Sequence, residues 1–190
     1  MAGFLVAQQI EKLINQGVVQ SANIGKCLGP ASYQVRVGSY RETQKSSPET
    51  LPPGEAVVIQ PGGLLLIGGC ETVQFPDNII GVLHLRSSYA RRGLLPWSQG
   101  IIEPGYTGGV TIVLHNHSND YIPIVGDERI CHLMFQMTDE RTDKPYRESY
   151  QNLPGATPAT EVPILRVAGD IVGKISEGLT TAVIKTLSGT

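Results

Sequence analysis

The residues able to do chemistry concentrate between Arg86 and Asn116. Arg86, Arg91 and Arg92 set three guanidinium groups close together, on a chain whose formal net charge is only -2. Guanidinium forks pair with phosphate oxygens two at a time, so this local cationic excess suits a polyphosphate ligand. Ser87 and Ser88 add hydroxyl donors. Further on, Glu103 supplies one carboxylate, held by the turn residues Pro104 and Gly105. A carboxylate so placed can orient and partly deprotonate a water. His115 and His117 alternate along the strand that follows, but two imidazoles without a nearby third ligand make a poor metal clip. No protein-built metal site is expected. The competing reading of the whole stretch is a solvated β-loop with ordinary surface charge.

The elements that must position these residues are short strands. The chain has 190 residues, with 22 Gly, 13 Pro and 6% aromatic side chains, a composition that favours strands joined by turns. Residues 4–16 place Phe4, Leu5, Ile10, Leu13 and Ile14 at the spacing of a short amphipathic helix ending near Gly17. Val18-Val19 reads as a brief strand. Ser32 to Val37 alternates, with Tyr33, Val35 and Val37 on one face. Arg41 to Pro53 reads as a surface loop. Val57 to Gln60, Leu64 to Ile67, Thr72 to Phe75, Ile79 to Leu85, Val110 to Leu114, Tyr121 to Val125 and Arg129 to Met137 read as strands, with Gly68-Gly69 among the breaks between them. The expected fold is an all-β barrel or jelly-roll-like sandwich. Residues 138–163 are polar and Pro-rich and are expected to form a mobile tail. Residues 164–187 regain a helical apolar period. The expected division is a β domain over 1–160 and an extension, with a C-terminal helix, over 161–190.

Charge and composition exclude several classes. Near-neutral net charge argues against nonspecific nucleic-acid or membrane binding. No apolar run is long enough to span a bilayer, and no secretory signal is evident. Cys27, Cys70 and Cys131 are widely spaced and odd in number, which suits reduced, packed thiols in a cytoplasmic protein.

Four stretches, in order, resemble motifs of the trimeric dUTPase and dCTP deaminase superfamily. Pro30 to Gly38 looks like its early motif, with Gln34 where Asp is common. Arg86-Ser87-Ser88 matches its phosphate motif. Gly100-Ile101-Ile102-Glu103-Pro104-Gly105-Tyr106-Thr107-Gly108 resembles its Gly-Val-Ile-Asp-x-x-Tyr-x-Gly motif, with Glu for Asp. Gly126 to Leu133 resembles a later motif, with His132 at a position often held by Gln. The resemblance covers roughly residues 5 to 160 and implies a distorted jelly roll. It further implies a deoxypyrimidine triphosphate substrate, magnesium carried mainly on the phosphates, and a homotrimer whose sites are shared between chains. Arg86, Ser87, Ser88, Arg91 and His132 are then expected at the phosphates, Glu103 at the attacking water, and Tyr106 against the deoxyribose. Gly100 and Ile102 belong to the hairpin that reads the base, and Tyr146 and Gln151 of the tail complete the expected contacts.

Two activities live on this scaffold, hydrolysis of dUTP and deamination of dCTP. The deaminase pattern puts a proton-carrying Glu ten residues after the acidic turn residue, and that position here is Val113. His115 shares its strand face but lies roughly 6–7 Å further on. Arg86 and Glu103 are 17 positions apart, as in the dUTPase pattern. Arg91, the N-terminal helix and the tail from Tyr146 to Thr157 look deaminase-like. The expectation is therefore hydrolysis of dUTP to dUMP and pyrophosphate, with dCTP deamination or non-catalytic nucleotide binding as alternatives.

Overall fold

The alternating apolar residues of Tyr33, Val35 and Val37 define the centre of the molecule. All three are fully buried. They belong to β3 (Tyr33–Glu42), the strand on which both halves of the sheet meet. The computed structural model describes residues 3–42, 47–97 and 100–156. The boundary expected near residue 160 and the helix expected within 161–190 lie outside the described residues.

Residues 33–36 of β3 pair with β12 (Arg129–Met137), while residues 37–42 pair with β6 (Leu64–Gln74). The register shifts between Val37 and Ser39, so β3 bends as it changes partners. On one side the sheet continues from β12 to β7 (Ile79–Leu85) and β9 (Ile101–Ile102). On the other it continues from β6 to β10 (Thr107–Asn116) and β8 (Leu94–Pro96). The pairings within this sheet are antiparallel. Three short strands attach at its margins: β1 (Gly3–Phe4) to β12, β2 (Val19–Gln20) to β6, and β4 (Glu49–Thr50) to β3. A separate ribbon joins β5 (Ala56–Ile59) and β11 (Ile122–Val125). The result is the all-β, curled jelly-roll arrangement expected. Its inner faces bury Ile67, Leu114, Leu133 and Phe135, each at or near zero exposure.

Several boundaries differ from expectation. The N-terminal helix α1 runs Ala7–Asn15, and Phe4 lies before it in β1, more than half exposed. The Leu5 N–H is drawn to Phe135 O, so the first residues follow β12 instead of the helical period. Leu64 to Ile67 and Thr72 to Phe75 form one continuous strand. Gly68 and Gly69 do not break it: a side chain at Gly68 would strike Ser39 and the backbone of Gly155, and one at Gly69 would strike Val35. These glycines serve close approach, not turning. β3 likewise continues to Glu42, into the stretch read as loop. Two further one-turn helices, α2 (Ile24–Cys27) and α3 (Ser87–Ala90), carry the segments before β3 and after β7.

A buried charge network fixes the middle of the sheet. Glu71 is fully buried and accepts from Tyr33 Oη at 2.9 Å, Arg36 N at 2.9 Å and Arg36 Nε at 2.7 Å. Arg36 also donates to Asp127 at 2.7 Å and to Ser21 O at 2.8 Å. Asp127 meets Lys26 as well, and these two cations, Lys26 first, hold its carboxyl below the ordinary value against some opposition from burial. Burial, with Glu71 beside it, pushes the Tyr33 phenol far up. Every polar atom in this knot has a partner, the condition under which buried charge is tolerated.

Candidate active site

The Arg-Ser corner is α3 and the residue before it. Arg86 follows β7, and its N–H donates to Ile130 O at 3.0 Å while Nη1 donates to Arg129 O at 3.0 Å. Its guanidinium is thereby held against the start of β12, with donors to spare. Ser87 and Ser88 are exposed on α3, and Arg91, also exposed, ends that turn. Tyr89 anchors the turn from beneath. It is buried, its hydroxyl donates to Glu128 at 2.9 Å, and burial followed by that carboxylate raises its pKa to about 12. The alternation of Tyr89 with exposed neighbours explains how α3 stays fixed while its serines face solvent.

His132 lies beside this corner. It is half-buried, and Nδ1 is 3.0 Å from Ser32 Oγ. Burial lowers its pKa first, followed by the charges of Arg86, His84 and Arg129. Ser32, His84 and Arg129 were not singled out from the sequence. The signal for His84 was available in the alternation of β7, where His84 occupies an outward position between buried Leu83 and half-buried Leu85.

The acidic turn forms a second cluster. Glu103 is exposed, and its side chain makes no hydrogen bond or ion pair to a described residue. Tyr106 N donates to Glu103 O at 3.2 Å, closing the turn, and Gly105 sits at φ +83°, where L side chains are strained. Tyr106 is half-buried and donates to Gly109 O at 2.9 Å. Its ring meets Tyr146 edge-on at 5.6 Å, and burial raises its pKa.

The tail clasps this turn. Tyr146 N donates to Pro104 O at 2.8 Å, Arg147 Nη1 to Gly105 O at 3.1 Å, and Asn152 N to Thr107 O at 2.7 Å. Gln151 uses both ends of its amide: Nε2 donates to Gly105 O and Oε1 accepts from Thr107 N, each at 3.1 Å. Gly109 N donates to Leu153 O at 2.8 Å. Residues 146–153 are thus pinned to the body by backbone and side-chain bonds, in contrast to the mobile tail expected. Tyr146 and Gln151 come together with Tyr106 and Glu103, and Arg147 joins them without having been foreseen.

The two clusters do not meet within one chain. Ile102 is the Cα partner of Gly81 and Ile101 of Val82, while Gly100 O accepts from Leu83 N. Glu103 therefore lies beyond Gly81 on the side away from Arg86. Extrapolating the register puts them about six residue rises apart along β7, roughly 20 Å. Gly100 and buried Ile102 lie on β9 and its approach, between the two clusters.

Position 113 is apolar in structure as in sequence. Val113 is half-buried on β10, paired with Leu66, and its carbonyl accepts from Trp97 N at 2.8 Å. Trp97 is 69% exposed and packs edge-on against His115 at 5.3 Å. Among the described residues no group of three or more His, Cys, Asp or Glu side chains is placed to hold a metal ion. No helix of the described residues is long and apolar enough to cross a membrane.

Known proteins match this chain as follows. A family model described as dCTP deaminase-like matches residues 4–138. A dCTP deaminase of Thermococcus sibiricus is 35% identical over 126 residues, covering 66% of this chain and 80% of that protein. A dCTP deaminase described as dUMP-forming, from Sulfurihydrogenibium, is 33% identical over 103 residues, covering 54% of this chain and 57% of that one. Among solved structures, the 2′-deoxycytidine 5′-triphosphate deaminase of Agrobacterium tumefaciens superposes with a TM-score of 0.63 at 16% identity. That match covers 72% of this chain and 49% of the solved chain, so the chain spans about half the length of that protein.

Proposed function

We propose a function from one premise: this chain belongs to the dCTP deaminase-like family, within the dUTPase and dCTP deaminase superfamily. It processes a deoxypyrimidine nucleoside triphosphate, and its reaction is hydrolysis of dUTP to dUMP and pyrophosphate. The observation that carries hydrolysis over deamination is Val113. An isopropyl group paired with Leu66 can neither donate nor accept the protons that must move as ammonia leaves.

In this reading Glu103 orients a water and takes its proton as the oxygen attacks the α phosphorus. The bond from that phosphorus to the bridging oxygen breaks, and pyrophosphate leaves with the electron pair. Arg86, Ser87, Ser88 and Arg91 hold the phosphates and offset charge on the leaving group. Tyr106 packs against the sugar. Magnesium, carried mainly on the substrate phosphates, would supply charge neutralisation there. The exposed Glu103 carboxylate would be one protein oxygen open to such an ion, and the chain brings no three-ligand cage among its described residues.

The roughly 20 Å between Arg86 and Glu103 supports a site completed by a second copy, and the family resemblance makes that assembly a homotrimer. One chain's acidic turn then faces another chain's Arg-Ser corner.

A second reading, deamination of dCTP, is favoured by the names of the relatives, including one whose product is dUMP. It requires a proton carrier other than residue 113. One assay separates the readings. The full chain is incubated with dUTP or dCTP and magnesium, and pyrophosphate and ammonia are followed together. Pyrophosphate from dUTP without ammonia from dCTP is expected. Ammonia from dCTP would overturn the first reading, and nucleotide binding without either product would leave a binding protein.

A further inference from the structure

We infer that His132, beside its strand partner His84, is a proton-accepting extension of the phosphate site, so that a nucleoside triphosphate bound at the Arg86 corner draws a proton onto the His132 ring. The inference rests on the phosphate role proposed above for Arg86.

The pair is set by strand register. His132 on β12 is the Cα partner of His84 on β7 and of Gln34 on β3. The flanking residues Cys131, Leu133 and Leu83 are buried, so strand alternation turns both histidines to the outer face. Arg86 is tied to the same place by its two bonds to the backbone of Arg129 and Ile130.

The charge around His132 is one-sided. From β7 it faces His84 and Arg86, and from β12 it faces Arg129. From β3 and the residue before it come only neutral Gln34 and Ser32. The carboxylates closest in the fold are already engaged: Glu71 by Arg36, Asp127 by Arg36 and Lys26, and Glu128 by the Tyr89 hydroxyl. Without a nucleotide, burial and then the charges of Arg86, His84 and Arg129 disfavour the protonated form of His132.

A bound triphosphate reverses the cause. Its negative charge offsets Arg86 and Arg129, and its oxygens accept from imidazolium N–H groups. An internal acceptor is also waiting: Gln34 Oε1 is buried with no hydrogen-bond partner, at the position paired with His132. Protonation makes both ring nitrogens donors, so one can serve Gln34 or a phosphate oxygen whichever role Ser32 Oγ takes at Nδ1. The proton comes from solvent, no covalent bond changes, and affinity becomes linked to pH. A glutamine at this position would donate to phosphate with no such link.

The test is calorimetric titration of the full chain with the non-hydrolysable α,β-imido analogue of dUTP and magnesium, in two buffers of different ionisation enthalpy. Uptake of about 0.5–1 proton per site is expected at pH 7, with affinity falling about five- to fiftyfold from pH 6 to pH 8. His132→Gln should remove at least about half of the uptake, His84→Gln should change it by removing the facing ring, the analogue should still bind, and dUMP should show little uptake. These variants also subtract any proton that the phosphate chain itself exchanges. Binding of the analogue without uptake, or uptake unchanged in both variants, would overturn the inference alone. No binding of any nucleotide, or binding indifferent to Arg86→Ala, would overturn the phosphate site and this inference together.

Discussion

Glu71 and Glu103 are the same residue in opposite circumstances. Glu71 is fully buried and accepts three hydrogen bonds, two of them from Arg36. Glu103 is exposed and bonded to no described side chain or backbone group through its carboxylate. Arg36 and Arg86 repeat the contrast: one is consumed by Glu71, Asp127 and Ser21, the other keeps donors free beyond a single carbonyl. The difference separates architecture from chemistry. Charge that is fully satisfied internally holds the sheet, and charge left without an internal partner on a rigid turn is available to a ligand.

The contrast breaks most sharply by mutation of the buried acid. Glu71→Ala leaves Arg36 N and Nε and the Tyr33 hydroxyl without their acceptor in the interior, and a loss of about 3–5 kcal/mol of stability is expected. Glu103→Ala should stay within about 0.5 kcal/mol of the parent, as an exposed site without partners does. Chemical denaturation of both variants measures this, and similar losses would erase the distinction. Next in size, Glu103→Gln should lower pyrophosphate release from dUTP by about 100-fold or more without moving the melting temperature. Retained turnover would move the water-activating role elsewhere.

A smaller effect is expected at the clasp. Gln151→Ala removes both amide bonds to the acidic turn and should cost about 1–2 kcal/mol. Faster amide exchange at Thr107 would locate the loss. The smallest effect concerns acid. The Asp127 carboxyl is held below its ordinary value by Lys26 and then Arg36, so its contribution is present above the unfolded value of about 3.9 and is lost as pH falls through the folded value. Asp127→Asn should therefore flatten the stability profile only below about pH 4. The variant should be less stable than the parent above about pH 4 and converge with it in acid, and a gap that persists undiminished in acid would contradict that assignment.

The strands were legible where alternation decides them. Tyr33, Val35 and Val37 read as one face and are one face, and Arg129–Met137 was bounded as it occurs. Glycine misled where it serves packing: Gly68 and Gly69 read as punctuation, yet they sit inside β6 beneath Ser39, Gly155 and Val35. Composition also misled in the tail, because its fixed position comes from backbone bonds to residues 104–109 that no side-chain pattern announces. At the site, residue types pointed to Arg86 and Glu103. Their separation along β7 and the pairing of His84 with His132 depend on register, which a single strand's sequence does not carry.

The central claim is that Glu103 and Arg86 act on one triphosphate from two different chains. Complementation tests it most directly. Glu103→Gln and Arg86→Ala are prepared separately, unfolded, mixed in equal amounts and refolded together, and pyrophosphate release from dUTP is measured. Each variant alone should be nearly inactive, while random assortment restores about a quarter of the sites. A mixture no more active than the separate variants would contradict the account.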